Sequence, residues 1–458
     1  MSQGRNRTVQ CPAVAPSRQT RGVAFVVTLL AITVLVAMCL AFARQMRVEA
    51  LASSNHAAMV EARWIARGAL EAVRGELARS RQVNAVPDLQ SVGVEGVPIG
   101  GGFYWLIRPD FENGRQHAFG LIGEAGKINV NIATVESLVE LPRMSEEIAA
   151  AIVDWRDADS EVTPGGAESE YYLTLADPHH AKDGAFETVA ELLLVRGVTE
   201  EMMFGEDDNR SGVMDASEDE SDGRFERGLF DLVTVYSSQP NDGLVNINQP
   251  SAELTELLRQ TLSEQRFAQV AGLMLAARPP YRNTLDFCVR AKLTPDEFEV
   301  LHDRITTWNQ PAVRGLVDVY EAPAEVLDAV EGLEAGDGEL IVGSRPTPVS
   351  GQSPPPLTWL IDVLGQGKAV AAASRLTHRS FQFTADVMAV TGDGRGFCRL
   401  RAVLDASPVA AEQSSPPAVL HVADLSSLGW PLQRQIIDRL RRGEPLETSA
   451  TVPGGDGT

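Results

Sequence analysis

Hydrophobic positions along this chain change period three times, and each change predicts a different kind of element. Val23–Ala43 is free of charge and apolar but for Thr28 and Thr33. A helix of those 21 residues covers about 32 Å, roughly one hydrocarbon core. Apolar positions then thin to a stripe, with Met59, Ala62, Ala66, Ala69, Leu70, Val73 and Leu77 recurring every three or four residues. No proline falls between Val48 and Ser80, so the spacing predicts one helix of about 55 residues, half in lipid and half packed on a globular head. "GGFYWLIRPDF" and "GRQHAFGLIGEAG" predict two strands joined at Glu112-Asn113-Gly114.

From Gly126 the pattern repeats. "GKINVNIATVESLVELPRMSEEIAAAIVDWRD" returns as "GLVNINQPSAELTELLRQTLSEQRFAQVAGLMLAARP" and, more weakly, as "GLVDVYEAPAEVLDAVEGLEAGDGELIVGSRP". Each copy predicts a short strand, a helix, a tight joint and a second helix. A further echo aligns "FETVAELLLVRGVTEEMM" with "YRNTLDFCVRAKLTPDEF", where Thr294 and Glu297 form a capping box. Two-residue alternation reappears in "RSFQFTADVMAV" and "GFCRLRAVLDAS", a closing strand pair around the turn at 392–396. After Ser407 come a Ser/Pro-rich linker and a tail with one amphipathic helix near Leu432–Arg442.

Charge adds an orientation. Arg5, Arg7, Arg18 and Arg21 precede the apolar run without any acid, which keeps the N-terminus cytoplasmic. A secretory h-region is usually shorter, and no convincing A-x-A site follows this one closely, so the run is expected to anchor rather than be discarded. A buried soluble helix would not be apolar on every face. The net charge of −22 lies almost wholly in the exported part, disfavouring nucleic acid and suiting divalent cations. Cys11 and Cys39 fall in the leader and the membrane, which leaves Cys288–Cys398 as the one pair an oxidising compartment could join.

The strongest candidate chemistry is "DDNRSGVMDASE". With Gly212 at the sharp turn, Asp207, Asn209 and Ser211 take positions one, three and five of a calcium loop. Val213 offers its carbonyl at seven, Asp215 falls at nine and Glu218 at twelve. Serine at position five removes a charge the loop usually carries. Asp157, Asp159 and Glu168, bracketing a Pro-Gly-Gly turn, form a second candidate calcium site. The helical hairpins also admit a membrane-tethered DNA-binding protein of the competence-receptor type, although the first two joints, Leu141-Pro142-Arg143-Met144-Ser145 and "LRQTLSEQ", lack the glycine through which such units hold phosphate. Catalysis has little support: the adjacent His179-His180 rarely point at one site, and no nucleophile elbow, phosphate loop or zinc spacing is present.

Three features together resemble the minor pseudopilin K family of type II secretion systems. They are the basic leader ending in Arg21-Gly22, "EAGKINVN" opening a helical insertion, and "IVDWRDAD…PGGAESEYY" within it. The resemblance runs from about Arg21 to Asp405 and is loosest in the middle. It implies an α+β, pilin-like fold: a long N-terminal transmembrane helix, a small antiparallel sheet and a large inserted helical domain of helix-hairpin-helix-like repeats.

The expected division is a prepilin leader at 1–22, a transmembrane segment at 23–43, a periplasmic helix at 44–80 and first strands at 81–125. Helical unit one follows at 126–205, an acidic calcium loop at 206–227, a strand and unit two at 228–310 and a degenerate unit three at 311–380. Closing strands occupy 381–406 and the linker and tail 407–458. The resemblance further implies cleavage by prepilin peptidase after Gly22, methylation at Val23, and an inner-membrane location with the head periplasmic. Calcium would bind in the insertion. The partners would be other minor and major pseudopilins in a tip complex and the inner-membrane components of the system, and the role non-enzymatic. Pilin-like subunits carry Glu at the fifth mature position, here Val27. A carboxylate in lipid costs on the order of 3 kcal/mol unless paired, so a subunit with none ahead of it can dispense with it.

Overall fold

The computed structural model describes residues 18–83, 85–110, 117–214, 218, 227–277, 279–347, 349, 351–408 and 416–446. The chain divides at Ala58/Met59 into two units. Helix α1, Arg18–Val83, is 66 residues long and contains that boundary. In the first unit its apolar side chains, Phe25, Leu30 and Leu40 among them, stand in the open. Among the described residues this is the one helix long and apolar enough to cross a membrane.

In the second unit α1 presents Ala62, Ile65, Ala66, Ala69, Leu70, Val73 and Leu77 to a sheet. Met59, placed on that stripe by its spacing, is 55% exposed, and Ile65 takes its place. Small residues along the stripe let the helix approach closely, and each buried Leu or Val contributes about 1.5–3 kcal/mol. A short helix, α2 (Leu89–Val92), precedes the first strands. These are β1 (Val97–Ile99), β2 (Gly102–Arg108), β3 (Ala118–Phe119) and β4 (Ile122–Gly123). The predicted turn at 112–114 lies outside the described residues.

Between β4 and the closing strands the chain builds three units of one plan. In the first, β5 (Ile128–Asn129) leads to α3 (Val135–Val139), α4 (Glu146–Arg156), α5 (Ser169–Tyr172), a 3-10 turn at Val189–Leu194, α6 (Glu200–Phe204) and β6 (Val233–Thr234). A connecting strand β7 (Ser238–Pro240) leads to the second unit: β8 (Val245–Asn246), α7 (Ala252–Thr261), α8 (Glu264–Ala277), α9 (Thr284–Arg290), α10 (Pro295–Leu301) and β9 (Ile305–Thr306). β10 (Ala312–Arg314) pairs back with β7. The third unit is β11 (Val317–Asp318), α11 (Ala324–Asp328), α12 (Asp337–Ser344), α13 (Leu360–Leu364), α14 (Gln366–Ala372) and β12 (Leu376–Thr377). In every unit the first strand pairs parallel with the last. Each unit is therefore closed by its own two-stranded clasp, with helix caps from Thr134, Ser145, Ser251, Asn283 and Thr294 setting the starts.

The clasps share their polar wiring. Asn129, Asn246 and Asp318 each accept from the backbone N–H two residues on, at 2.9, 2.8 and 3.0 Å. Asn129 Nδ2 donates to Ser237 Oγ at 3.0 Å and Asn246 Nδ2 to Asn309 Oδ1 at 2.8 Å. At the third clasp the direction reverses, with Ser380 Oγ donating to Asp318 Oδ2 at 3.0 Å. The helices of all three units bury one continuous core.

The chain then returns as β13 (Gln382–Thr391) and β14 (Phe397–Asp405). The main sheet runs β1-β2-β13-β14-β15, antiparallel throughout, with β15 at Ala418–Asp424. Within the linker and tail expected at 407–458, α15 (Arg434–Arg441) falls where the amphipathic helix is expected, and β15 is an element the pattern does not predict. Leu432 and Leu440 from this segment close over Trp105, Ile107, Met388 and Val390, covering the sheet face that α1 leaves open. The pairing considered for Cys288 and Cys398 does not form: both are buried free thiols, one in the helical core and one under α1.

Candidate metal centre

Helix α4 ends by collecting acid. Asp154 is fully buried in its last turn, Asp157 follows as its C-cap, and Asp159 stands two residues on. The chain loops through Pro164-Gly165-Gly166 and brings in the buried Glu168. Gly166 is dictated by this geometry, because a Cβ there would lie 2.1 Å from Asp154 Oδ2. Arg196 Nη1 donates to the Gly166 carbonyl at 2.9 Å and fixes the turn. One carboxylate oxygen from each of Asp157, Asp159 and Glu168 lies within 4.8 Å of the other two.

Part of this acid is satisfied locally. Asp154 Oδ1 accepts from Thr163 N at 3.1 Å, and Asp159 Oδ1 from Glu161 N at 2.8 Å. Asp154 Oδ2, Asp157 Oδ1 and Glu168 Oε1 are buried without a hydrogen-bond donor. Burial pushes the Asp157 carboxyl above the usual range, and Asp159 and Asp154 beside it push further. Burial, then Asp154, does the same to Glu168. Hard oxygen donors converging without a counter-charge suit a calcium-class cation. Asp154 escapes the sequence reading because it looks like an ordinary helix residue. Its signal is its place three residues before Asp157 at a helix end that faces a Gly-Gly turn.

The loop beginning at Asp207 is built differently. Asp207 is buried, and its Oδ1 and Oδ2 accept from Ser211 N and Gly212 N at 2.8 and 2.7 Å. Ser211 Oγ donates to Val213 O at 2.9 Å, and Glu218 Oε1 accepts from Asn209 N at 3.4 Å. Burial, helped by Asp231, pushes Asp207 up to about 7 against the pull of the two amides. Gly212 has φ +74°, as the sharp turn requires. Arg399, with no exposed side-chain surface, donates to Asn209 O at 2.7 Å and also to Arg210 O, while its Nε reaches Asp386 Oδ1 at 3.0 Å. Asp215 lies outside the described residues. The structure therefore ties Asp207 to the backbone amides of its own loop, and leaves Asp154 Oδ2, Asp157 Oδ1 and Glu168 Oε1 without donors at the other cluster.

That cluster sits inside the stretch a family comparison picks out. Residues 126–204 match the family described as Type II secretion system (T2SS), protein K. This segment carries a protein K domain. The K domain covers the first helical unit from just before β5 to the end of α6. The chain is also similar, at 12% identity and a TM-score of 0.42, to a chain of the GspK-GspI-GspJ complex from the enterotoxigenic Escherichia coli type 2 secretion system. That similarity covers 80% of this chain and 95% of the other. No curated protein matches.

The processing positions lie on α1: Gly22 and Val23 are both helical, and Val27 is exposed.

Proposed function

We propose that the chain is a minor pseudopilin of a type II secretion system. The observation that supports this most is the K domain at 126–204, inserted between strands of a sheet on which a long, N-terminally apolar helix is packed. In this reading prepilin peptidase cuts after Gly22 and Val23 becomes the methylated N-terminus. The apolar helix anchors the protein in the inner membrane and later packs among other pseudopilin helices. The head stands in the periplasm. It caps the filament tip and helps start assembly for export of folded proteins. The missing carboxylate at Val27 suits a subunit with no neighbour ahead. Calcium at Asp154, Asp157, Asp159 and Glu168 holds the K-domain loop in shape, and a second ion is assigned to the loop starting at Asp207. The work is mechanical, with no catalytic step. The K-domain match favours secretion over the DNA-binding alternative.

The test is purification of the tagged full chain from membranes after in-cell cross-linking. The expected result is a mature chain starting at methylated Val23, together with other proteins that begin with a glycine-cut apolar helix. An uncut N-terminus and an uncross-linked chain would overturn the proposal.

A further inference from the structure

The second and third helical units meet at a group of side chains for which the secretion role has no use. His302 and Asp303 occupy the 3-10 turn between α10 and β9, and His378 follows β12 directly. Seventy-odd residues of sequence separate them, yet one ligand atom from each lies within 4.8 Å of the other two. His302 Nε2 is 3.4 Å from Asp303 Oδ1, and His378 Nε2 is 3.0 Å from the same oxygen. Ligand separations of about 3.3 Å are what a tetrahedral ion with bonds of roughly 2.0–2.1 Å demands.

The surroundings orient these atoms as second-shell groups orient metal ligands. His302 Nδ1 lies 2.7 Å from the carbonyl of Glu299, which fixes the Nδ1–H tautomer and turns the Nε2 lone pair inward. The His302 side chain is 5% exposed, and its Nε2 has no hydrogen-bond donor. It faces a carboxylate oxygen, so an acceptor looks at an acceptor. Asp303 Oδ2 is held by Arg379 Nη2 at 2.7 Å and Ser353 Oγ at 2.9 Å, and Oδ1 is the oxygen both imidazoles approach. Arg379 Nε also reaches His378 Nε2 at 3.1 Å, so this cation competes for one lone pair and weakens the site relative to a closed four-ligand one. The cluster opens onto a cleft of about 440 Å³, lined by Asn241, Thr306, Trp308 and Phe381 among others, which gives a water room to complete the coordination.

We infer that His302, Asp303 and His378 form a three-ligand site for a zinc-class divalent cation, distinct from the carboxylate cluster of the K domain. Two imidazoles and one carboxylate select borderline metals, whereas the all-oxygen cluster selects calcium. Bound there, the ion pins the end of the second unit to the segment leading into β13. It acts as a clamp rather than a catalyst.

The experiment uses the full chain in detergent micelles, stripped with a chelator and titrated with zinc alone, in saturating calcium, by calorimetry. Stoichiometric binding at micromolar free zinc is expected, unchanged by Asp157→Asn with Glu168→Gln and weakened at least tenfold by His302→Gln or His378→Gln. Pulsed electron paramagnetic resonance on the copper-loaded wild-type chain needs no variant, and should count two coordinated imidazoles. Zinc binding that ignores both histidine substitutions, absence of zinc binding, or a copper signal without imidazole would each overturn the site.

Discussion

Asp318→Asn should stabilise this protein, and by an amount that depends on pH. Asp318 is 2% exposed, and burial, helped by Glu321 nearby, pushes its carboxyl up to about 7 from 3.8 against the pull of the Tyr320 amide and the Ser380 hydroxyl. Between those values the folded chain binds more protons than the unfolded chain, so stability falls as pH rises through this window. At roughly 1.4 kcal/mol per pH unit the cost of the ionised side chain reaches about 4 kcal/mol above pH 7, and is only about 2 kcal/mol at pH 5. Asparagine carries no such cost, and two of the three clasps already use it. The substituted amide would keep the acceptor for Tyr320 N and offer Ser380 a donor, as Asn129 does for Ser237. Urea unfolding of the full chain in micelles at pH 5 and pH 8 measures the difference. A gain near 4 kcal/mol at pH 8, shrinking by about 2–3 kcal/mol at pH 5, is expected from the same shift. An equal gain at both pH values, or a loss at pH 8, would refute the reasoning.

Three further outcomes follow from named contacts. Chelation should lower the melting temperature of the wild-type chain, since free calcium at about 100 times its Kd adds ~2.7 kcal/mol. Asp154→Asn with Glu168→Gln should remove most of that response, and calcium affinity should fall with pH because the raised carboxyls take up protons first. Arg399→Leu leaves Asp386 with Arg401 as its remaining ion-pair partner, and releases the carbonyls of Asn209 and Arg210, so a loss of about 3–5 kcal/mol by denaturant titration is expected. Gly212→Ala combines positive φ with a Cβ 2.7 Å from Pro109 Cα. It should cost about 1–3 kcal/mol by the same measurement.

Elements with a long, clean period were legible in the sequence: α1, β13 and β14 announce themselves by hydrophobic spacing alone. The first two helical units were legible as copies. The last helices of the third unit were not, because the Pro354-Pro355-Pro356 run ahead of α13 breaks the similarity and reads as loop. β15 was hidden for a related reason: a seven-residue strand after a Ser/Pro-rich stretch has no pattern of its own until β14 offers it a ladder. Of the candidate site, the carboxylates on one short loop could be read by spacing. The histidine cluster could not, because only the clasps β8–β9 and β11–β12 bring His302 to His378. Ligands drawn from two repeats leave no linear motif.

The central strand β13 carries a consequence for the order of events in folding. Gly102 of β2 pairs with Thr391 of β13, so the sheet under α1 is joined across the entire helical insertion. Closing a loop of that size from an open chain is entropically slow. The three clasped units have local contacts, so they are expected to fold first and to shorten that search by delivering β13 beside β2. A chain in that state carries finished helices but an unfinished sheet, with the stripe from Ala62 to Leu77 uncovered until β14 is in place. By this order the sheet is the last part of the fold to close, so a chain cut short before β14 should keep its helical units and lose the packing of α1.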